Sequence, residues 1–475
     1  MSTWSDARSA AATAASLGVW PLDEHNAALL DQVRPFVWSG EPAAGAPTYD
    51  LIAIGSGAGG LVSAKQSARR GARSAMISEH LAGGDCLNVG CVPSKALLHC
   101  ARVARDARQA LREGYLRTGG QLEVDFGAVM CRMRRLRAKI APADGHEGSC
   151  AAGADVYQGR GRFVGPDAIE VNGKRLTFRR AVIATGGRAA VPAVPGLAEA
   201  PYTTNATLFN LTALPPRVVV LGAGAVACEM AQALATFGAE VTVVGQSPWV
   251  LSREEPAARD AARAALEADG VTLLLAHSLV RVETLRRGGG GDAAAAADSA
   301  AACAPADFPL IRVLAAGPDG GGERPLECEL LLVAAGREPN VSGLGLEAAG
   351  ITVDEASGGA GGVVIDDLGA TSNPNVYAVG DCAKGVPHFT HTSGEMAKLV
   401  VQNALFGDSW RVSSLLVPRC TYTDPEVAVP GRHTPAAPPQ LPRRVRASAC
   451  APARPAPTAD GAARSARVCR WPPSG

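Results

Sequence analysis

The chain has 475 residues, enough on ordinary domain sizes for about three units that each bury a core. Its 46 basic and 45 acidic side chains leave a net charge of +1, and 47% of its residues are hydrophobic. That balance gives no electrostatic case for nucleic acid or a membrane surface, and no run reaches the roughly eighteen apolar residues of a spanning helix.

In chain order, residues 1–47 read as a leader. The start, MSTWSDARSAAATAASLGVW, lacks the basic residues and apolar core of a secretion signal. A cytoplasmic location is expected; the Ala/Ser richness is compatible with organelle import, and Asp6 counts against it. In such a reducing compartment a structural disulfide is not expected.

The segment YDLIAIGSGAGGLVSAKQSARRGARSAMISEH then opens on a continuous apolar run, Leu51 to Ile54, as in a parallel strand buried on both faces. Gly55, Gly57 and Gly60 follow as G-x-G-x-x-G at the start of a helix, and a second strand ends at Glu79. This is the dinucleotide fingerprint in its required context: glycines for the tight turn and for close approach to a pyrophosphate, and an acid for ribose hydroxyls.

Next comes GGDCLNVGCVPSKALL, which holds Cys86 and Cys91. A zinc site would need two more ligands at compatible spacing, and His99 and Cys100 form no zinc pattern, so no metal is expected. What remains is a dithiol that exchanges two electrons with a bound cofactor.

A second fingerprint lies in RVVVLGAGAVACEMAQALATFGAEVTVVGQS, through Gly222, Gly224 and Ala227. Gly245 stands where the ribose-binding acid is expected. Either this unit kept its shape and lost its ligand, or it still takes a nicotinamide dinucleotide, with weaker discrimination through the ribose. Farther on, NVYAVGDCA runs a buried strand into Gly380 and Asp381; alone, Asp381 could be a helix cap. His388 and His391 form an H-x-x-H that we read as a loop beside the cofactor, not as a metal site.

Taken together, these segments resemble the class I pyridine nucleotide–disulfide oxidoreductases, the flavoproteins that include dihydrolipoyl dehydrogenase, glutathione reductase and mercuric reductase. The cysteine segment is similar to their redox signature. RAVIATGGRAAVPAVPG resembles their ATG segment, AAGREPN their GRxPN turn and TSNPNVYAVGDCA their flavin-binding motif; FTHTSGEMA and CTYTDPEVA match the family's next two segments. REEPA and PLDEHNAALLDQVRPFVW lean toward the mercuric-reductase-like branch.

The resemblance implies an α/β fold with two Rossmann-like, doubly wound domains: FAD-binding at 48–210 and 336–410, and NAD(P)-binding at 211–335; within the latter, the composition of 286–307 reads as a low-complexity surface insertion without function. It places FAD on Gly55, Gly57, Gly60, Glu79, Gly84, Thr185, Gly186, Gly380 and Asp381, with Gly336 and Arg337 also at the cofactors. NADPH or NADH falls on Gly222, Gly224 and Ala227. It makes Cys91 the thiol facing the flavin, Cys86 the interchange thiol, and Lys95 the partner of Glu229. The implied reaction passes hydride from NAD(P)H through FAD to a Cys86–Cys91 disulfide, and on to a small-molecule disulfide, Hg(II) or quinone.

The C-terminal part departs from this pattern. The family ends in an α/β dimer domain with a histidine–glutamate acid–base pair. Here residues 411–428 read as a vestigial stub of it, and 429–475 as a disordered tail. From Pro430 the chain has ten prolines, eight arginines and Asp460 as its one acid, with no helical or strand period and no H-P-x-x-x-E pair. A weakened or lost homodimer is therefore expected, and, as an alternative to the enzyme, a truncated, impaired FAD-binding product.

Overall fold

The computed structural model describes residues 16–33, 48–120, 122–286, 308–318, 322–355 and 361–431. The expected tail (429–475) lies outside these residues from 432 onward, as does the 286–307 insertion from 287 onward.

The first sheet has a parallel core in the order Ala154–Gln158, Ser74–Ser78, Tyr49–Ile54, Lys174–Ile183 and Val376–Ala378. Tyr49 and Leu51 to Ile54 are buried, as a strand covered on both faces requires. Each such aliphatic side chain contributes about 1.5–3 kcal/mol through burial. The early half of Lys174–Ile183 turns outward and pairs antiparallel with Ala168–Val171.

A second parallel sheet runs Thr272–Leu275, Glu240–Gly245, Arg217–Leu221 and Leu330–Val333. Against it packs an antiparallel sheet of Ser278–Arg286, Leu310–Ala316 and Arg324–Cys328, so the strands that flank the low-complexity stretch pair with each other. The chain returns to the first sheet after the second is complete: Arg337–Pro339 pairs with Gly187–Ala189, and Val376–Ala378 with Ala181 to Ile183.

Five helices pack in two groups. Cys91–Arg112 packs on both Phe126–Asp144 and Ala225–Phe237. Thr390–Phe406 packs on Ala58–Arg69 so closely that a Cβ on Gly59 would meet Ser393 Oγ at 2.5 Å. Part of the leader is ordered as well: the helix Glu24–Val33 lies on Phe126–Asp144.

Candidate active site

Both glycine-rich turns are crowded by backbone. Gly55 has φ +114°, and a Cβ there would lie 2.2 Å from the Ala184 carbonyl oxygen. A Cβ on Gly60 would lie 1.8 Å from Gly55 O, and one on Gly84 2.7 Å from Gly57 Cα. The strand Tyr49–Ile54, the ATG segment and the start of the short helix Gly84–Asn88 thus meet in a side-chain-free cradle at the N-terminus of Ala58–Arg69, which suits a pyrophosphate. Glu79, after the strand Ser74–Ser78, is exposed and lies 3.6 Å from Arg160.

The second turn repeats the geometry. Gly222 has φ +117° and backs onto Ala334 O, and Ala227 is fully buried. Gly224 differs: a Cβ there would meet nothing within 4 Å. The missing side chain is not needed for packing, and the open space before the helix N-terminus Ala225–Phe237 is where a dinucleotide would approach.

The ATG segment and the GREPN turn are bonded together. Thr185 Oγ1 donates to Asn340 O at 2.6 Å, and Asn340 N donates to Gly186 O. Gly186 and Gly336 both have positive φ. Arg337 reaches across this junction, with Nε 2.8 Å from Asp381 Oδ2 and an Nη2 2.6 Å from Asp85 Oδ2. Asp85, beside Cys86, was not legible as a site residue, because its partner lies 252 positions away.

Cys86 sits in the short helix Gly84–Asn88, and Cys91 opens the long helix Cys91–Arg112. Both are free, partly buried thiols. The Cys86 thiol hydrogen-bonds Cys91 and pulls its pKa down from the usual thiol range to about 6, against burial. The hydroxyl of Thr390, 3.3 Å from Cys91 Sγ, and the charge on Lys95 pull the same way, as does the helix N-terminus. Cys86 is pushed up, since Cys91 holds its proton and burial disfavours its anion.

Lys95, one turn after Cys91, places Nζ 3.1 Å from Glu229 Oε2 on the buried face of Ala225–Phe237. Glu229 Oε1 also accepts the Tyr422 N–H at 2.9 Å, and the Tyr422 ring lies 4.3 Å from Lys95 Nζ. The segment expected as a stub is therefore docked. Its strands Arg419–Thr421 and Val427–Val429 form a hairpin, Val427 joins the core, and Asp424 pairs with Arg105. Thr390 and Tyr422 lie in the segments FTHTSGEMA and CTYTDPEVA that resemble the family, but their partners Cys91 and Glu229 are given only by contacts made in the fold.

His391 Nε2 donates to Pro418 O at 2.6 Å, and the ring stacks on Phe389. Among the described residues no group of three His, Cys, Asp or Glu side chains is placed to hold a metal ion, and no helix is long and apolar enough to cross a membrane.

Residues 49–397 match the model of the pyridine nucleotide-disulphide oxidoreductase family. The chain belongs to that family. The chain is 30% identical over 383 residues to a mercuric reductase of Lysinibacillus sphaericus, covering 81% of this chain and 64% of that protein. It spans 56% of a Bacillus cereus mercuric reductase at 32% identity, so it covers less than two thirds of the length of both. It is also 30% identical to a mitochondrial dihydrolipoyl dehydrogenase of Pisum sativum, across 82% of this chain and 73% of that one. Its fold superposes on the HOCl-induced flavoprotein disulfide reductase RclA from Escherichia coli, with a TM-score of 0.64 at 25% identity, across 80% of this chain and 77% of that one.

Family members are FAD-dependent and take electrons from NAD(P)H. The residues present fit those groups: two side-chain-free cradles at helix N-termini, and a carboxylate, Asp381, oriented by Arg337 beside the first.

Proposed function

We propose that this chain catalyses electron transfer from NADPH or NADH to the Cys86–Cys91 pair, and from there to a small acceptor. The observation that carries the reading is the convergence at Cys91: its thiol is acidified beside Cys86, Thr390 and Lys95, and Lys95 is anchored by Glu229 from the second fingerprint helix. Bound FAD would supply the two-electron relay between nicotinamide and sulfur.

The chain's own groups account for the rest. The cradle at Gly55, Gly57, Gly60 and Gly84 holds the first dinucleotide, with Glu79, Thr185, Gly186 and Asp381 around it and Gly336 and Arg337 at the junction. The turn at Gly222, Gly224 and Ala227 holds the second. Lys95 holds positive charge beside Cys91 and Glu229 fixes its position; Cys86 is the thiol that meets the acceptor. The balance is NAD(P)H plus a proton and the disulfide, giving NAD(P)⁺ and two thiols; the dithiol then reduces the acceptor. Soft thiol chemistry suits Hg(II) or an organic disulfide, and the mercuric reductases among its relatives favour Hg(II).

Anaerobic titration of the FAD-loaded protein with NADPH or NADH tests this. Two thiols should appear per nicotinamide oxidised, and none in Cys91→Ser. Oxidation of nicotinamide without new thiols would overturn the reading. Turnover with Hg(II), lipoamide and a quinone then ranks the acceptors.

A further inference from the structure

The leader has no part in the function above, yet its helix is hydrogen-bonded to the segment that precedes the cysteines and, through Arg137, to the turn between them. Asn26, fully buried, gives its backbone N–H to Asp23 Oδ1, which caps the helix Glu24–Val33, and donates Nδ2 to Pro21 O at 2.6 Å. Its side-chain oxygen accepts from Arg137 Nη2 at 2.6 Å. The other arm of the same guanidinium, Nη1, donates to the Asn88 carbonyl at 2.7 Å. Asn88 ends the Cys86 helix, and its own amide donates to Ala82 O and Gly84 O. A second tie runs in parallel, from Ala82 N to Val33 O at 2.9 Å.

Arg137 is only 2% exposed. Burial pushes its pKa down to about 10, its Nε has no partner among the described residues, and the nearby Asp23 carboxylate bonds Arg134 instead. A buried cation without a carboxylate partner carries an uncompensated desolvation cost, so an apolar side chain would fill this space more cheaply. What the guanidinium adds is a two-armed link between the leader and the turn that separates the cysteines.

We propose that the leader helix is part of the redox site: through Asn26 and Arg137 it holds the turn at Asn88, so that the sulfurs of Cys86 and Cys91 stay within bonding reach in both redox states. Arg137 and Asn26 are positioning residues. Fixing the turn raises the effective concentration of one thiol at the other and favours the disulfide. The inference rests on the reading of Cys86 and Cys91 as a redox pair.

The test equilibrates the full chain with glutathione buffers, where the two thiols and glutathione disulfide exchange for the protein disulfide and two glutathione thiols. Acid quench, alkylation and peptide mass spectrometry then give the fraction oxidised at Cys86 and Cys91. Asn26→Leu and Arg137→Met should each lower the equilibrium constant for disulfide formation about tenfold, and Asn26→Asp, which keeps the acceptor for Arg137, should stay near wild type. If Arg137→Met does not fold, Asn26→Leu decides. A constant within twofold of wild type in folded Asn26→Leu overturns the clamp alone. A wild-type chain that forms no Cys86–Cys91 bond overturns the clamp together with the redox reading.

Discussion

Lys95 and Glu229, separated by 134 positions, meet at 3.1 Å where the cysteine helix crosses the second fingerprint helix. Lys95 is partly exposed and Glu229 is buried, so removing the lysine leaves a carboxylate held by the Tyr422 N–H alone. Lys95→Met should cost about 1–3 kcal/mol of stability. It should also raise the pH at which the Cys91 thiolate forms by about one unit. Thiolate absorbance against pH, with thermal melts in parallel, checks both; an unmoved thiolate titration would remove Lys95 from the site.

Thr390 bonds Cys91 from 299 positions away. A hydrogen bond to a charged group contributes about 1.5–3 kcal/mol. Thr390→Val should therefore move the Cys91 midpoint up by about one to two pH units from about 6, and slow alkylation of that thiol at pH 7. Thr390→Ser should restore it, because the hydroxyl is what matters.

At the second turn, a Cβ on Gly245 would lie 2.8 Å from Ala223 Cβ. The acid that selects NADH in other dinucleotide folds cannot be installed alone. Gly245→Asp should weaken binding of both nicotinamide nucleotides, by about 1–3 kcal/mol of overpacking. Adding Ala223→Gly should recover binding with a preference for NADH. Equilibrium dissociation constants for the two nucleotides measure this; a simple switch in the single variant would contradict it.

Arg337 stands between Asp85 and Asp381. Arg337→Met leaves two carboxylates facing one another near the first cradle and should lower FAD retention at least tenfold. Fluorescence titration of the apoprotein with FAD reads that directly. Arg337→Met in combination with Asp85→Ala should bind FAD better than the single variant.

His146 is 2% exposed, and burial lowers its pKa from 6.5 to about 4, while Gln158 Nε2 donates to its Nδ1. A histidine with a depressed folded pKa disfavours the fold in acid. The unfolded chain takes up a proton below pH 6.5 and the folded chain does so only near 4. Stability should fall across that window by up to about 1.4 kcal/mol per pH unit. Urea unfolding from pH 7 to 4.5 should show the slope, and His146→Gln should flatten it.

Much of this molecule is legible in local sequence. Leu51 to Ile54 with Gly55, and Val218 to Leu221 with Gly222, announce strand, turn and helix because period and turn chemistry act within a few residues. The cysteine pair announces thiol chemistry for the same reason. The Lys95–Glu229 pair was reached only by resemblance, since no local pattern joins two residues on separate helices. Asp85 with Arg337, Thr390 with Cys91, and Asn26 with Arg137 and Asn88 were not legible at all. Each depends on how helices dock across the two sheets, and such docking is decided by packing over the whole chain. Local sequence marks where the glycine-rich turns and the cysteines lie, because turn chemistry acts within a few residues; which side chains bond and brace them follows from helix docking across the whole chain.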